Sequence, residues 1–85
     1  MKRIKPEKYN LPPRTVLEGG PLQSVAIIID RKSRIIMKDA RRILKMAENI
    51  NRSNDYKKVS VKTSAPVCSK TRRLLAENQI NIEDL

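Results

Sequence analysis

The chain has 85 residues, with 19 Lys and Arg against 9 Asp and Glu, no His, and a formal charge of +10. That length allows one small domain, marginally stable on its own. One Cys and no His exclude a disulfide framework, a Cys/His zinc site and Ser-His or Cys-His catalysis within the chain.

Residues 1–22 hold Pro6, Pro12, Pro13 and Pro21 and both glycines, Gly19 and Gly20. They also carry Lys2, Arg3, Lys5, Lys8 and Arg14 against Glu7 and Glu18. Proline fixes φ and removes a backbone donor, so this segment is expected to be an extended basic arm, free or ordered by a partner. No apolar stretch follows the basic start, as a signal peptide requires, and the longest apolar run, Val25 to Ile29, is far too short to span a bilayer. A single unpaired Cys fits a reducing, cytoplasmic setting.

The folded part is expected from residue 23 to 85. Ser24-Val25-Ala26-Ile27-Ile28-Ile29-Asp30 is a continuous β-branched run, which suits a strand covered on both faces. Beyond Arg31 and Lys32, the residues Ile36, Ala40, Ile43, Leu44, Ala47 and Ile50 fall on one helical stripe. The periodicity predicts a helix from about Arg34, capped by Asp30 or Ser33. The competing reading makes Arg34 to Lys38 the second strand of a hairpin, with the helix starting at Asp39. Asn49 to Asp55 reads as a loop. Lys57 to Thr63 alternates strictly, with Val59, Val61 and Thr63 on one face. Ser64 is then expected to cap a second helix, with Pro66 in its first turn and Val67, Thr71, Leu74 and Leu75 as its apolar stripe. Asn78-Gln79 ends it, and Ile80-Asn81-Ile82 alternates as a third strand. The expected fold is a small β-α-β-α(-β) domain of the α/β class, with a thin, mainly parallel sheet and the basic arm. So thin a sheet leaves apolar surface uncovered, which favours a homodimer or a larger assembly.

The basic residues fall into three clusters. They are the arm with Lys2, Arg3 and Lys5; the start of the first helix with Arg31, Lys32, Arg34, Lys38, Arg41 and Arg42; and a run with Lys57, Lys58, Lys62, Lys70, Arg72 and Arg73. One cluster is usually a solvated face. Three on so short a chain point to a polyanion, whose phosphates they would neutralise. Tyr9 and Tyr56 are the only aromatics, so a base-stacking sheet is disfavoured against duplex DNA or structured RNA gripped by its backbone. The expected function is non-catalytic binding of nucleic acid, or a place in a nucleoprotein assembly such as a ribonucleoprotein, with no cofactor.

Ala65-Pro66-Val67-Cys68, between a strand and a helix continuing Ser69-Lys70-Thr71-Arg72-Arg73-Leu74-Leu75, resembles locally the strand-to-helix turn of glutaredoxins. Ala65 stands where their first cysteine would be. The resemblance implies a redox role for Cys68, and a Cys in the first turn of a helix near basic residues favours the thiolate. The plainer reading is a small packing residue. The same turn offers Ser64 and Ser69 hydroxyls and free amides to an anion. A structural subunit docking through an open sheet edge is a third reading. Asp30 closes a strand, where α/β enzymes place catalytic or metal-binding groups. With only Asp39 as an evident partner, it reads more plainly as a helix cap.

Overall fold

The computed structural model describes residues 2–20, 24–52 and 58–85. Among them, five strands form one mixed sheet in sequence order, β1 (Lys2–Ile4), β2 (Val16–Gly19), β3 (Ser24–Ile29), β4 (Lys58–Thr63) and β5 (Asn81–Asp84). The first three pair antiparallel and the last three parallel. Helix α1 (Met37–Asn51) links β3 to β4, and α2 (Ser69–Glu77) links β4 to β5. The chain is thus a small α/β domain, as its pattern predicts. No helix of the described residues is long and apolar enough to cross a membrane.

Residues 2–20 depart from the arm expected over 1–22. Pro6 opens a short 3-10 turn, Pro6–Tyr9, where a missing amide is tolerated. Asn10 closes it in the left-handed region at φ 59°. Tyr9, Leu11 and Leu17 then join the core. The proline signal marks the turns here, and the apolar residues between them decide the fate of the segment. Their packing supplies much of the cover whose absence motivated the expected self-association.

Burial alternates along β4, with Val59, Val61 and Thr63 buried and Lys58 exposed, because both helices pack on one face. The expectation that β3 is covered on both faces is therefore corrected. Val25 and Ile27 face the helices, and Ala26 is buried between its cross-strand neighbours Glu18 and Ser60. Ile28 remains half-buried.

Helix α1 buries Ala40, Ile43, Ala47 and Ile50 of the predicted stripe and half-buries Leu44, but it starts later than the periodicity suggests. Neither Asp30 nor Ser33 caps it. Asp39 turns back to accept the Ile36 amide at 3.0 Å. The hairpin reading fails as well, because Ile35 makes a lone parallel bridge to Val67. That bridge pulls Ile35 into the core and leaves Ile36 exposed. Helix α2 is likewise shorter than predicted, since Cys68 rather than Ser64 is its cap. It ends as predicted: Asn78 donates to the Leu74 carbonyl at 2.9 Å, and Gln79 reverses the chain at φ 63°.

Candidate active site at the carboxyl ends of the parallel strands

Parallel strands present their carboxyl ends at one rim, where the following loops gather polar groups. The register pairs Ile29 with Thr63. Asp30 and Ser64, one residue further along each strand, therefore emerge side by side. The Ser64 hydroxyl donates to Asp30 Oδ1 at 2.6 Å, across 34 residues of sequence. Ser64 is thus spent on Asp30 and does not cap a helix.

The loop after β3 is held by Arg31. Its Nε donates to the Ser33 carbonyl at 3.2 Å, and its Nη2 to the Arg34 carbonyl at 3.2 Å and to Asp39 Oδ2 at 2.6 Å. Partial burial would raise the Asp39 carboxyl. The Arg31 hydrogen bond, the Ile36 amide and the charges of Arg31 and Arg42 outweigh it and hold the group below its ordinary value. The loops after β3 and β4 are laced together, because the Ile35 amide donates to the Pro66 carbonyl at 2.8 Å and the Cys68 amide to the Ile35 carbonyl at 3.1 Å. On this platform Asp30, Lys32 and Arg34 are all exposed.

Cys68 lies at the back of the platform, half-buried. Its sulfur is 2.9 Å from Thr71 Oγ1 and accepts the Thr71 amide at 3.4 Å. Hydrogen bonds from the Thr71 hydroxyl and amide hold the thiol below its ordinary value, with smaller help from the Lys70 amide and the Arg34 charge, against opposing desolvation. A lowered folded value means that the unfolded chain binds more protons. Stability from this group therefore rises with pH through the folded value and is complete above the unfolded one, near 8.5. Thr71→Val keeps the shape and removes the hydroxyl. It is expected to slow alkylation by iodoacetamide at pH 7 and to shift the midpoint of the rate–pH curve upward; an unchanged midpoint would assign the shift elsewhere.

The predicted basic residues divide. Arg31, Lys32 and Arg34 gather at the rim with Ser64. Lys38, Arg41 and Arg42 continue along α1, with Lys38, Arg41 and Arg42 exposed. Lys70, Arg72 and Arg73 are exposed on α2, and Ser69 is its exposed first residue. Lys2 and Arg3 lie in β1 and Lys5 just after it, across the sheet from the rim. Lys58 begins β4, at the opposite end from Ser64, and Lys62, half-buried, is the penultimate residue of β4, at the rim end of the strand. Lys57 lies outside the described residues. Sequence reading misses the Asp30–Ser64 pair, the Arg31–Asp39 clamp and the role of Thr71. The first follows from the parallel register alone; the other two need the tertiary placement of the loops.

No family model matches the chain, and no curated protein matches it in sequence. Two solved structures share its fold. One is a repair endonuclease from Pyrococcus abyssi, with a TM-score of 0.67 and 6% identity over 82% of this chain and 31% of that one. The other is EndoMS in its apo form, with a TM-score of 0.66 and 15% identity over 82% of this chain and 33% of that one. The chain thus spans about a third of the length of these structures. At these identities the likeness shows the fold. The expected non-catalytic binder is corrected on this likeness, because the structures that share the fold are a repair endonuclease and EndoMS. The same likeness removes the ground for reading the chain as lacking enzymatic activity.

Proposed function

We propose that the chain is a DNA-processing hydrolase domain that breaks a phosphodiester bond at the rim formed by Asp30, Ser64, Lys32 and Arg34. The observation that carries this reading is an exposed carboxylate, fixed by the 2.6 Å bond from Ser64, on the same platform as two exposed cations. The endonuclease sharing the fold supports DNA as the substrate.

Hydrolysis forms a bond from a water oxygen to phosphorus as the ester P–O bond breaks. The attacking water must lose a proton, and negative charge grows on the phosphoryl oxygens. Asp30 orients that water and accepts its proton, while Lys32 and Arg34 face the developing charge. The leaving oxygen takes its proton from solvent. Ser64 holds Asp30 Oδ1, which leaves Oδ2 for the water. Lys38 and Arg41 on α1, with Lys70 on α2, extend the positive surface away from the reacting phosphate. They position the backbone without reading sequence.

Divalent cations commonly supply part of this charge stabilisation. Asp39 is committed to Arg31, and among the described residues no three metal-binding groups converge. The described side chains bring no three such groups together, and the roles above rest on Asp30, Ser64, Lys32 and Arg34.

The test is incubation of micromolar protein with supercoiled plasmid and with labelled single- and double-stranded oligonucleotides, with Mg²⁺, with Mn²⁺ or with chelator. Nicked plasmid or shortened oligonucleotide is expected. Intact DNA under every condition would overturn the proposal.

A further inference from the structure

A groove of about 490 Å³ runs between the segment 10–16 and helix α1, floored by β3. Neither Asp30, Lys32 nor Ser64 lines it, so it lies apart from the proposed reaction. Its α1 bank extends from Asp39 to Asn49. The ten helical steps between them span about 15 Å, the reach of roughly four or five residues of extended chain. Thr15 Oγ1 lies 3.8 Å from Met46 Sδ, a contact that ties the two banks together at one point.

The lining is aliphatic at its base, with Ile29 of β3 and Met46 of α1 half-buried and Leu11 and Ile43 buried. The rim is basic. Arg14 stands on one bank, Arg42 and Lys45 on the other, and Arg31 at the end. Among the described residues, Asp39 is the single carboxylate lining the groove, and it is already neutralised by Arg31 at 2.6 Å. These cations are spread along the groove and do not converge on one point. They suit a chain bearing anionic groups at intervals, and not a compact ligand with one charged head. A single nucleic acid strand meets that charge requirement but stacks its bases on rings, and among the described residues no aromatic side chain lines the groove. Aliphatic side chains fill such a floor without partners.

We propose that this groove docks an acidic peptide segment of a partner protein, with leucine or isoleucine anchors on the floor and carboxylates paired to Arg14, Arg42 and Lys45. The mode is a side-chain groove, with affinity from the apolar anchors and selection by charge. Arg42 and Lys45 are exposed, so their replacement leaves the core intact.

The test uses the whole chain and fluorescence anisotropy with a labelled synthetic peptide in which glutamate pairs flank leucines. Controls are the same peptide with the leucines replaced by serine, the same with the glutamates replaced by lysine, and a single-stranded oligonucleotide of equal charge. The glutamate–leucine peptide is expected to bind at micromolar concentration and each control peptide at least tenfold more weakly. Arg42→Glu with Lys45→Glu, and separately Met46→Glu, are expected to weaken the first peptide at least tenfold. Lys70→Glu with Arg73→Glu on α2 should leave it unchanged. Equal binding of the serine peptide would overturn the proposal, since charge alone would then suffice. Loss of oligonucleotide binding in the groove variants, with no peptide binding in the parent, would assign the groove to nucleic acid instead. DNA cleavage is read separately, so its absence leaves this outcome unaffected.

Discussion

Asp30→Asn is expected to lower the rate of DNA cleavage by about a hundredfold or more while leaving the fold and DNA binding nearly unchanged. Positioned proton transfer contributes about 10²–10⁴-fold in rate, and the amide keeps the shape of the carboxylate while losing its basicity. The Ser64 hydroxyl can still donate to Oδ1, so the loop contact survives the substitution. Asp30 is exposed, which removes burial as a source of instability. Lys32→Ala should lower the rate by a comparable factor, because it takes a positive charge from the face of the phosphoryl group. Lys32→Arg should restore only part of it, since a planar guanidinium does not place its charge where a compact ammonium does. Ser64→Ala is expected to act more mildly, because it loosens Asp30 without removing it. Thermal melts of all four variants should coincide with the parent. Parental cleavage by Asp30→Asn would move the chemistry to another carboxylate.

The readable parts of this fold are those where periodicity and burial agree. The alternation of Val59, Val61 and Thr63 predicts β4, and the stripe of Ala40, Ile43, Ala47 and Ile50 predicts α1. The start of α1 is hidden because Ile35 and Ile36 continue the helical period while the chain is still extended. Only the bridge from Ile35 to Val67, made across 32 residues, shows that they belong to the loop. Strand β2 is hidden for a different reason. Its four residues, Val16–Gly19, carry two apolar side chains among prolines and glycines, and their pairing with β3 fixes them more than any local preference.

The rim follows the same division. Asp30 is visible as an acid at the end of a strand, but its meaning depends on Ser64, and that pair exists because β3 and β4 run parallel in one particular register. A shift of one residue would send Asp30 and Ser64 to opposite faces. The three charge clusters are legible as composition alone. The fold places only part of one at the rim and spreads the others along both helices and the far edge of the sheet.

Removing residues 1–20 is expected to abolish cooperative unfolding of the remaining chain. The deletion takes away β1 and β2 and opens the long edge of β3, whose residues Val25 to Ile28 pair with Gly19 to Val16. It also strips Tyr9, Leu11 and Leu17 from the core, of which Leu17 is fully buried. A buried side chain of this size contributes about 1.5–3 kcal/mol. Three of them are comparable with the whole stability of a small domain, about 5–15 kcal/mol. The exposed β3 edge adds unpaired backbone groups beside a β-branched run, a template for aggregation. Chemical denaturation followed by circular dichroism separates the two outcomes. A broad, non-cooperative loss of signal, with aggregation at micromolar concentration, is the expected result. A fragment that melts cooperatively at nearly the parental midpoint would show that the parallel half of the sheet and its two helices close the core without the N-terminal strands.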